Sequence, residues 1–306
     1  MNDLNPVIHV EHLRKTYGKT VAVSDISFEV QRGENFGIVG PNGAGKTTTV
    51  ECLVGLRKPD GGSLSVLGLD PQSQEHELRL RTGVQLQQAA LPEDIKVWEA
   101  LDLFASFYPH PVDWRALLET WGLAEKRSAR FGGLSGGQKQ RLFITLALVN
   151  DPEVVFLDEI TTGLDPQARR NTWKMIEKLR QDGKTVVLVT HFMDEAQQLC
   201  DRVAIIEGGR LVALDSPQKL VQGLKADNRV IFGAAGGESF QWLLGVAGVS
   251  QVERQNGSVV VSGQGQILLG VASALAERGV VPADLRSEQA SLEDVFLALT
   301  GKKIRD

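Results

Sequence analysis

The sequence predicts an α/β protein whose main core is a mixed sheet, and three observations lead to this prediction. Four short apolar runs, FGIVG, VVFLD, VVLVT and VAIIE, suit strands of a parallel sheet that is buried on both faces. Helical stretches such as Thr47 to Leu56 and Arg169 to Arg180 alternate with these runs, as in a doubly wound domain. The alternation ends after EGGRLVALDSPQKL, so we expect a large unit over residues 1–225 and a small one over residues 226–306.

The chain opens with segments in which apolar and polar residues alternate. In VIHVEHL and DISFEV the apolar side chains fall on one face, as with Ile26, Phe28 and Val30, which predicts half-buried antiparallel strands. We therefore expect a small antiparallel β layer ahead of the parallel sheet.

Residues 88–150 differ from the rest of the large unit, because WEALDLFASF and VDWRALLETWGL have helical periodicity. We expect a helical insertion here. The tryptophans Trp98, Trp114 and Trp121 could stack on a ligand, but at helical spacing they are expected to belong to the core.

The segment after residue 225 predicts its own small α/β domain. RVIF, the hairpin SQVERQ and SVVVS, and ADLRSEQ are predicted strands, while ESFQWLLGV, QILLGVASALAERG and SLEDVFLALTG are predicted helices. The order βαββαβ plus a final helix is compatible with a ferredoxin-like module. Ser291, three residues before Asp294, provides a capping signal for the last helix.

Composition excludes several functional classes. The net charge of -5 gives no broad basic field, so no nucleic-acid partner is expected. Cys52 and Cys200 lack the spacing of a disulfide framework or a zinc site, which fits a reducing cytoplasm. There is no signal-peptide pattern, and the apolar run LFITLALV is far shorter than the roughly 20 residues that cross a bilayer. Membrane contact is therefore expected only through a partner.

A complete phosphate-binding loop follows the first apolar run. Gly40, Gly45, Lys46 and Thr47 fit the pattern G-x-x-x-x-G-K-[ST] between a predicted strand and a predicted helix. Backbone N–H groups and the helix N-terminus would bind the phosphates, Lys46 would reach the β- and γ-phosphates, and the Thr47 hydroxyl would bind Mg²⁺. The candidate nucleotide-binding residues of this loop are Gly40, Pro41, Asn42, Gly43, Ala44, Gly45, Lys46, Thr47 and Thr48.

Three polar residues follow other buried strands and should lie at the same edge of the sheet. Asp158 ends VVFLD and could hold Mg²⁺ through water, while the adjacent Glu159 could orient and polarise the water that attacks the γ-phosphate. His191 follows VVLVT, where it could donate a hydrogen bond to the γ-phosphate or to that water.

The stretch LSGGQ is a second candidate for phosphate binding. Ser135, Gly136, Gly137 and Gln138 precede a helical pattern, so they should lie at a helix N-terminus, which attracts anions. Because they belong to the helical insertion, we expect them to cover the nucleotide of a second copy of the chain. The alternative is an ordinary serine cap.

These motifs together resemble the ATP-binding subunit of an ABC transporter. The matching residues run from Tyr17 to about Pro217 and are highly specific as a set. They are Tyr17, GPNGAGKTT, Gln87 within GVQLQQ, LSGGQKQR, VVFLDE, TGLDP with Asp165, and THFMDEA around His191.

The resemblance implies a P-loop NTPase fold of the ABC type, with ATP and Mg²⁺ as ligands. It implies that Tyr17 stacks on adenine, that Gln87 contacts Mg²⁺ and senses a partner, and that Asp165 connects two sites. By spacing, Gln87 fits this role better than Gln85 or Gln88.

Two positions depart from the family pattern. Ile160 stands where proline is usual, and Lys96 stands where threonine is common. Neither change removes a reactive group, so ATPase activity is expected to survive.

The tail SLEDVFLALTGKKIRD resembles a subgroup whose partner is an ABC-2 type permease. The implied protein is a cytoplasmic ATPase, peripheral on the inner face of the membrane, that drives export as a dimer with itself or with a paralogous subunit. An importer subunit, a non-transport ABC ATPase and a module that binds ATP without hydrolysis are the alternatives. The single phosphate loop and the lack of a heptad run disfavour a non-transport ABC ATPase. The presence of both Glu159 and His191 disfavours a module that binds ATP without hydrolysing it.

Overall fold

The computed structural model describes residues 6–224, 228–234, 239–255, 257–288 and 290–301. The chain divides into two compact units, a first unit that extends to Pro217 and a second unit that begins at Gln218. The boundary predicted between residues 225 and 226 lies outside the described residues.

The first unit contains nine strands and seven α-helices within the described residues. In chain order they are β1 (Ile8–Tyr17), β2 (Thr20–Val30), β3 (Asn35–Val39), α1 (Lys46–Leu53), β4 (Gly61–Val66), α2 (Glu75–Arg81), β5 (Thr82–Gln85), α3 (Val97–Ala105), α4 (Trp114–Thr120), α5 (Gly136–Leu146), β6 (Val154–Asp158), α6 (Pro166–Gln181), β7 (Thr185–Thr190), α7 (Met193–Leu199), β8 (Arg202–Glu207) and β9 (Arg210–Asp215). Two short 3₁₀ turns lie at Ala124–Lys126 and Phe131–Gly133.

All nine strands form one mixed sheet in the order β4-β1-β2-β9-β8-β3-β7-β6-β5. Strands β8, β3, β7, β6 and β5 are parallel, whereas β4, β1 and β2 pair antiparallel. Every residue of β3, β6 and β7 is buried, as expected for strands covered on both faces. The predicted mixed sheet with an antiparallel layer is confirmed.

Helices α3, α4 and α5 share a core of their own. Trp114 lies in this core, and its indole Nε1 donates to Oδ1 of Asp102 at 3.1 Å. Trp121 is also buried, and Trp98 is partly buried against the same core. The tryptophans therefore pack inside the protein, as their helical spacing predicts.

Helix α3 begins without a side-chain cap. Lys96 occupies the N-cap with extended backbone angles (φ -79°, ψ 154°); its backbone N–H donates to Oε2 of Glu99 at 2.8 Å and its carbonyl accepts from the Ala100 N–H at 3.0 Å. The Val97 and Trp98 N–H groups donate to carbonyls of Ala129 and Arg127, so a threonine hydroxyl at this position would accept from the Glu99 N–H.

We expect Lys96→Thr to raise the free energy of unfolding by about 0.5–1 kcal/mol, measured by urea denaturation. Lys96→Ala is the matched control, because it removes the same ammonium group without supplying a cap. Equal stability of the two variants would contradict the capping argument.

The described residues of the second unit form a four-stranded antiparallel sheet and three α-helices. In chain order they are α8 (Pro217–Gly223), β10 (Asn228–Gly233), a 3₁₀ helix (Gln241–Gly245), β11 (Val249–Gln255), β12 (Ser258–Gly263), α9 (Ile267–Glu277), β13 (Ala283–Glu288) and α10 (Leu292–Thr300). The sheet order is β11-β12-β10-β13.

The order of strands and helices in this unit follows the sequence prediction, with one difference. The first predicted helix is a 3₁₀ helix of five residues, because it ends at Gly245 and the chain turns again at Gly248 (φ 87°). The cap of α10 is as predicted: Oγ of Ser291 accepts from the Asp294 N–H, and Oδ2 of Asp294 accepts from the Ser291 N–H. The ferredoxin-like assignment stays a prediction.

Among all these described helices, not one combines the length and the apolar character needed to cross a membrane.

Candidate functional site

Three adjacent parallel strands bring the predicted catalytic segments to one edge of the sheet. Val39, at the end of β3, pairs with Thr190 at the end of β7, and Asp158 at the end of β6 pairs with Val189. The phosphate loop, Glu159 and His191 follow these strand ends directly. The edge where strands of an open α/β sheet end at their carboxyl termini is the usual place for a ligand site.

The phosphate loop requires glycine for steric reasons. A Cβ atom on Gly40 would lie 2.1 Å from the Ile206 carbonyl oxygen, and one on Gly45 would lie 2.4 Å from that of Ala22. Gly45 also has a positive φ of 101° as the N-cap of α1. The loop thus packs tightly while the first N–H groups of α1 stay available for an anion.

Lys46 reaches back across this loop and is almost fully buried. Its Nζ donates to the carbonyl oxygens of Gly40 (2.8 Å) and Pro41 (3.0 Å) and lies 3.6 Å from Oε1 of Glu159. Burial lowers the pKa of Lys46, whereas Glu159 and Asp158 raise it. The ammonium group is therefore held over the loop, where phosphate oxygens could replace the carbonyl groups.

Glu159 contacts the other three candidate catalytic residues, Lys46, Gln87 and His191. Its Oε2 accepts from Nε2 of Gln87 at 2.7 Å, and its Oε1 lies 3.1 Å from Nδ1 of His191. Its backbone has a positive φ of 49°, which is unfavourable for a non-glycine residue, and its N–H donates to the Val189 carbonyl at 2.9 Å. The structure thus holds this carboxylate in a strained, oriented position.

Among the three neighbouring glutamines, only Gln87 contacts Glu159 within the described hydrogen bonds. Gln85 is buried, donates to the Leu86 carbonyl at 2.9 Å and accepts from Gln140 at 3.1 Å. The geometry therefore supports the choice of Gln87 that the spacing predicts.

Asp158 has the burial and the carboxylate environment expected of a cation ligand. It is completely buried, and within the described part of the chain neither carboxylate oxygen has a hydrogen-bond partner. Burial raises the pKa of Asp158 to about 6, and the facing Thr47 hydroxyl acts in the opposite direction. A carboxylate beside a hydroxyl fits Mg²⁺, which keeps several waters and binds few protein groups.

Tyr17 offers an aromatic platform at the end of β1. Its ring is 40% exposed, with Nζ of Lys15 and Cζ of Arg57 at 5.5 Å and 5.9 Å from its centroid. The exposed ring could stack on a nucleotide base.

The LSGGQ segment lines a different cleft, of about 390 Å³. Ser135 is the N-cap of α5: its Oγ accepts from the Gln138 N–H at 3.3 Å, and its own N–H donates to Oε1 of Gln138. Asp165 is the N-cap of α6, where Oδ1 accepts from two backbone N–H groups at 2.9 Å. The described lining residues of this cleft are Ser135, Gly136, Gly137, Arg141, Gly163, Leu164, Asp165, Gln167, Ala168 and Asn171.

Comparison with known proteins identifies the family. Residues 23–162 match the family model "ABC transporter". A Nod factor export ATP-binding protein I from Ralstonia nicotianae is 38% identical over 98% of this chain and 96% of its own length. Another protein of that name, from Paraburkholderia xenovorans, is 40% identical over 98% of both chains. The chain belongs to the ABC transporter ATP-binding family.

Solved structures of ABC ATP-binding proteins agree with this assignment. An ATP-binding subunit of an ABC transporter superposes with a TM-score of 0.64 at 27% identity, over 71% of this chain and 92% of that one. A dimeric ATP-binding cassette bound to ADP and Pi gives 0.62 at 27% identity, over 68% and 98%. This ABC protein is thus the ATP-binding, ATP-hydrolysing subunit of a transporter. Such subunits dimerise and work with transmembrane components.

The ABC ATPase has a groove of about 450 Å³ that is lined by Leu86 and Gln88, the sequence neighbours of Gln87. Its wall is apolar on the helical side, where Phe104, Tyr108 and Phe143 line it, and polar where Gln85 and Gln88 line it. Ile160, which departs from the family pattern next to Glu159, is buried, and its side chain neither adds a polar atom nor removes one from the site.

Sequence reasoning about this ABC ATPase missed one buried acid near the site. Glu195 lies within the quoted motif THFMDEA, but its motif position gave no sign of burial. Its carboxyl accepts from Nε1 of Trp173 at 3.0 Å. The local sequence shows only that Glu195 is an acid in the first turn of a helix. Such acids are common because they interact favourably with the helix dipole, so this position does not indicate burial.

Proposed function

We propose that two such subunits, identical or paralogous, form a head-to-tail dimer around two ATP molecules and drive export through a separate ABC-2 type permease. The observation that carries the dimer is the separation of the two anion sites: no phosphate-loop residue is among the described residues that line the cleft of Ser135 and Gly137. Each LSGGQ segment would then cover the nucleotide held by the partner's phosphate loop.

Within one site, the chain's own residues would divide the work of phosphoryl transfer. Backbone N–H groups of the phosphate loop and Lys46 would bind the β- and γ-phosphates. Glu159, held by Gln87 and His191, would orient and polarise the attacking water. Thr47, Asp158 and Gln87 would hold Mg²⁺, which when bound neutralises charge on the phosphate oxygens.

Export is supported by the relatives' names and by the extent of the match. The curated relatives are named for export, and the alignments cover 98% of this chain, including the second unit. The groove is a suitable receptor for a permease segment, because the sequence neighbours of Gln87 line it together with Phe104, Tyr108 and Phe143 of the helical insertion, residues 88–150. We place the subunit at the inner face of the cell membrane, held there by the permease, with residues 226–306 as an accessory domain.

Mixing two inactive variants tests whether a site is shared between subunits. Lys46→Ala damages the phosphate loop and Ser135→Arg damages the covering segment, so a mixed dimer contains one site with both parts intact. We expect an equal mixture to recover about a quarter of wild-type ATPase activity, because half of the dimers are mixed and each has one good site.

The matched control mixes Lys46→Ala with a Lys46→Ala/Ser135→Arg double variant, which can form no intact site. Activity in the first mixture that does not exceed this control would refute sharing. Assays use the purified full-length chain, with ATPase rates measured after subunit exchange.

A further inference from the structure

Glu195 is a buried acid near the site that has no part in the chemistry described so far. It lies in the first turn of α7 and is completely buried. Oε1 accepts from Nε1 of Trp173 on α6 at 3.0 Å. Burying a carboxyl group is costly, so the presence of Glu195 here requires an explanation.

The carboxyl group lies between the two segments that carry Glu159 and His191. Burial raises the pKa of Glu195, and the nearby hydroxyls of Thr190 and Thr161 act against this shift. Both threonines are buried. Thr161 follows Glu159 by two residues, and Thr190 immediately precedes His191. The Glu195 carboxyl group thus faces both the segment that carries Glu159 and the segment that carries His191. Oε1 of Glu159 and Nδ1 of His191 are 3.1 Å apart.

Arg169 and Trp173 of helix α6 pack against the same region. The Arg169 guanidinium lies 4.5 Å from the Phe192 ring centroid and 5.1 Å from that of Trp173, and it donates to Oδ1 of Asp194 at 2.7 Å. The Phe192 ring in turn contacts the His191 ring, with centroids 4.1 Å apart. The position of His191 is therefore set by packing around Glu195 as well as by its own contact with Glu159.

A purely space-filling role does not explain this cluster. Replacing a buried ion pair by apolar side chains of similar volume is often neutral or stabilising, so stability alone gives little reason for a buried carboxyl group. Trp173, Thr161 and Thr190 lie on three different segments of the chain, and all three act on the carboxyl group of Glu195. A buried polar network of this kind holds the segments that contribute to it in one arrangement.

We propose that Glu195 is a positioning residue for ATP hydrolysis, which fixes the segment after Glu159 relative to the segment before His191. The inference rests on the proposed function, since it concerns the same hydrolytic site. Loss of this alignment should affect the chemical step and leave nucleotide binding intact, because Glu195 touches none of the phosphate-loop residues in the described contacts. A displacement of about 1 Å can lower a catalytic rate about 100-fold.

Two substitutions at Glu195 test the inference. We expect Glu195→Ala to lower kcat about 10- to 100-fold while ATP affinity stays within about threefold of wild type. Glu195→Gln keeps the shape and an acceptor oxygen for Trp173, so it should restore most of kcat. Wild-type kcat in the alanine variant, or an equal loss in both variants, would overturn the proposal.

Thr161→Val provides a readout if the alanine variant does not fold. It removes the hydroxyl that faces Glu195 with almost no change of shape, and we expect it to lower kcat at least about threefold without changing ATP affinity. Thr172→Val is the matched control, because among the described hydrogen bonds its buried hydroxyl donates only within its own helix, to the Ala168 carbonyl at 3.1 Å. Circular dichroism melting verifies that each variant is folded.

Parallel measurement of the wild type separates the two possible failures. A folded wild-type protein without ATPase activity would refute the proposed function itself. An active wild type whose Thr161→Val and Glu195→Ala variants keep full kcat would refute only the role of Glu195.

Discussion

Glu159→Gln is expected to lower ATP turnover by about 100- to 1,000-fold while ATP binding is retained. The substitution keeps an oxygen that can accept from Gln87 but removes the carboxylate charge that would polarise the attacking water. With hydrolysis blocked, the proposed ATP-bound dimer would open only by releasing ATP. We therefore expect a stable dimer in saturating ATP, detected by size-exclusion chromatography with light scattering.

Glu177→Gln is the control for this experiment, because Glu177 is an exposed acid on α6 and its replacement should change neither turnover nor oligomeric state. A Glu159→Gln protein that stays monomeric in saturating ATP would contradict the proposed dimer. One that hydrolyses ATP at the wild-type rate would contradict the role given to Glu159.

The parts of this site that the sequence predicts well are those with strong local patterns. The strands before Gly40, Glu159 and His191 are continuous apolar runs, and parallel pairing places their ends together without further information. Glycine spacing likewise predicts the loop, since a Cβ atom on Gly40 or Gly45 would meet a backbone carbonyl. Local sequence is sufficient for these features because a strand's apolar run and a loop's glycine spacing each lie within a few consecutive residues.

The parts that the sequence does not predict depend on contacts between distant segments. In the sequence Glu195 looks like any acid in the first turn of a helix. Its hydrogen bond from Trp173, on another helix, is visible only in the structure. Ser135 is both a real N-cap, through its bond with Gln138, and a candidate phosphate ligand, so the cap signal alone could not separate the two interpretations. The short 3₁₀ helix at Gln241–Gly245 has too few residues for helical periodicity to distinguish it from an α-helix.

Lys46→Ala is expected to weaken ATP binding by about 10- to 100-fold, which corresponds to the loss of roughly 1.5–3 kcal/mol for a hydrogen bond to a charged group. In the structure the ammonium group donates to the Gly40 and Pro41 carbonyl oxygens and lies beside Glu159. Without phosphate it thus stabilises the loop, and with phosphate it would provide a charge-assisted contact. Titration of the variant with ATP, followed by calorimetry, measures the loss.

The comparison between nucleotides makes this experiment specific to the terminal phosphates. Lys46 would reach the β- and γ-phosphates, so AMP, which lacks both, should bind the variant and the wild type with similar affinity. Lys174→Ala controls for the loss of a positive charge, because Lys174 is exposed on α6. Equal weakening of ATP and AMP would mean that the substitution deforms the loop as a whole. Unaltered ATP affinity would refute the phosphate contact, since a buried ammonium group placed over the loop could not then be a ligand of the nucleotide.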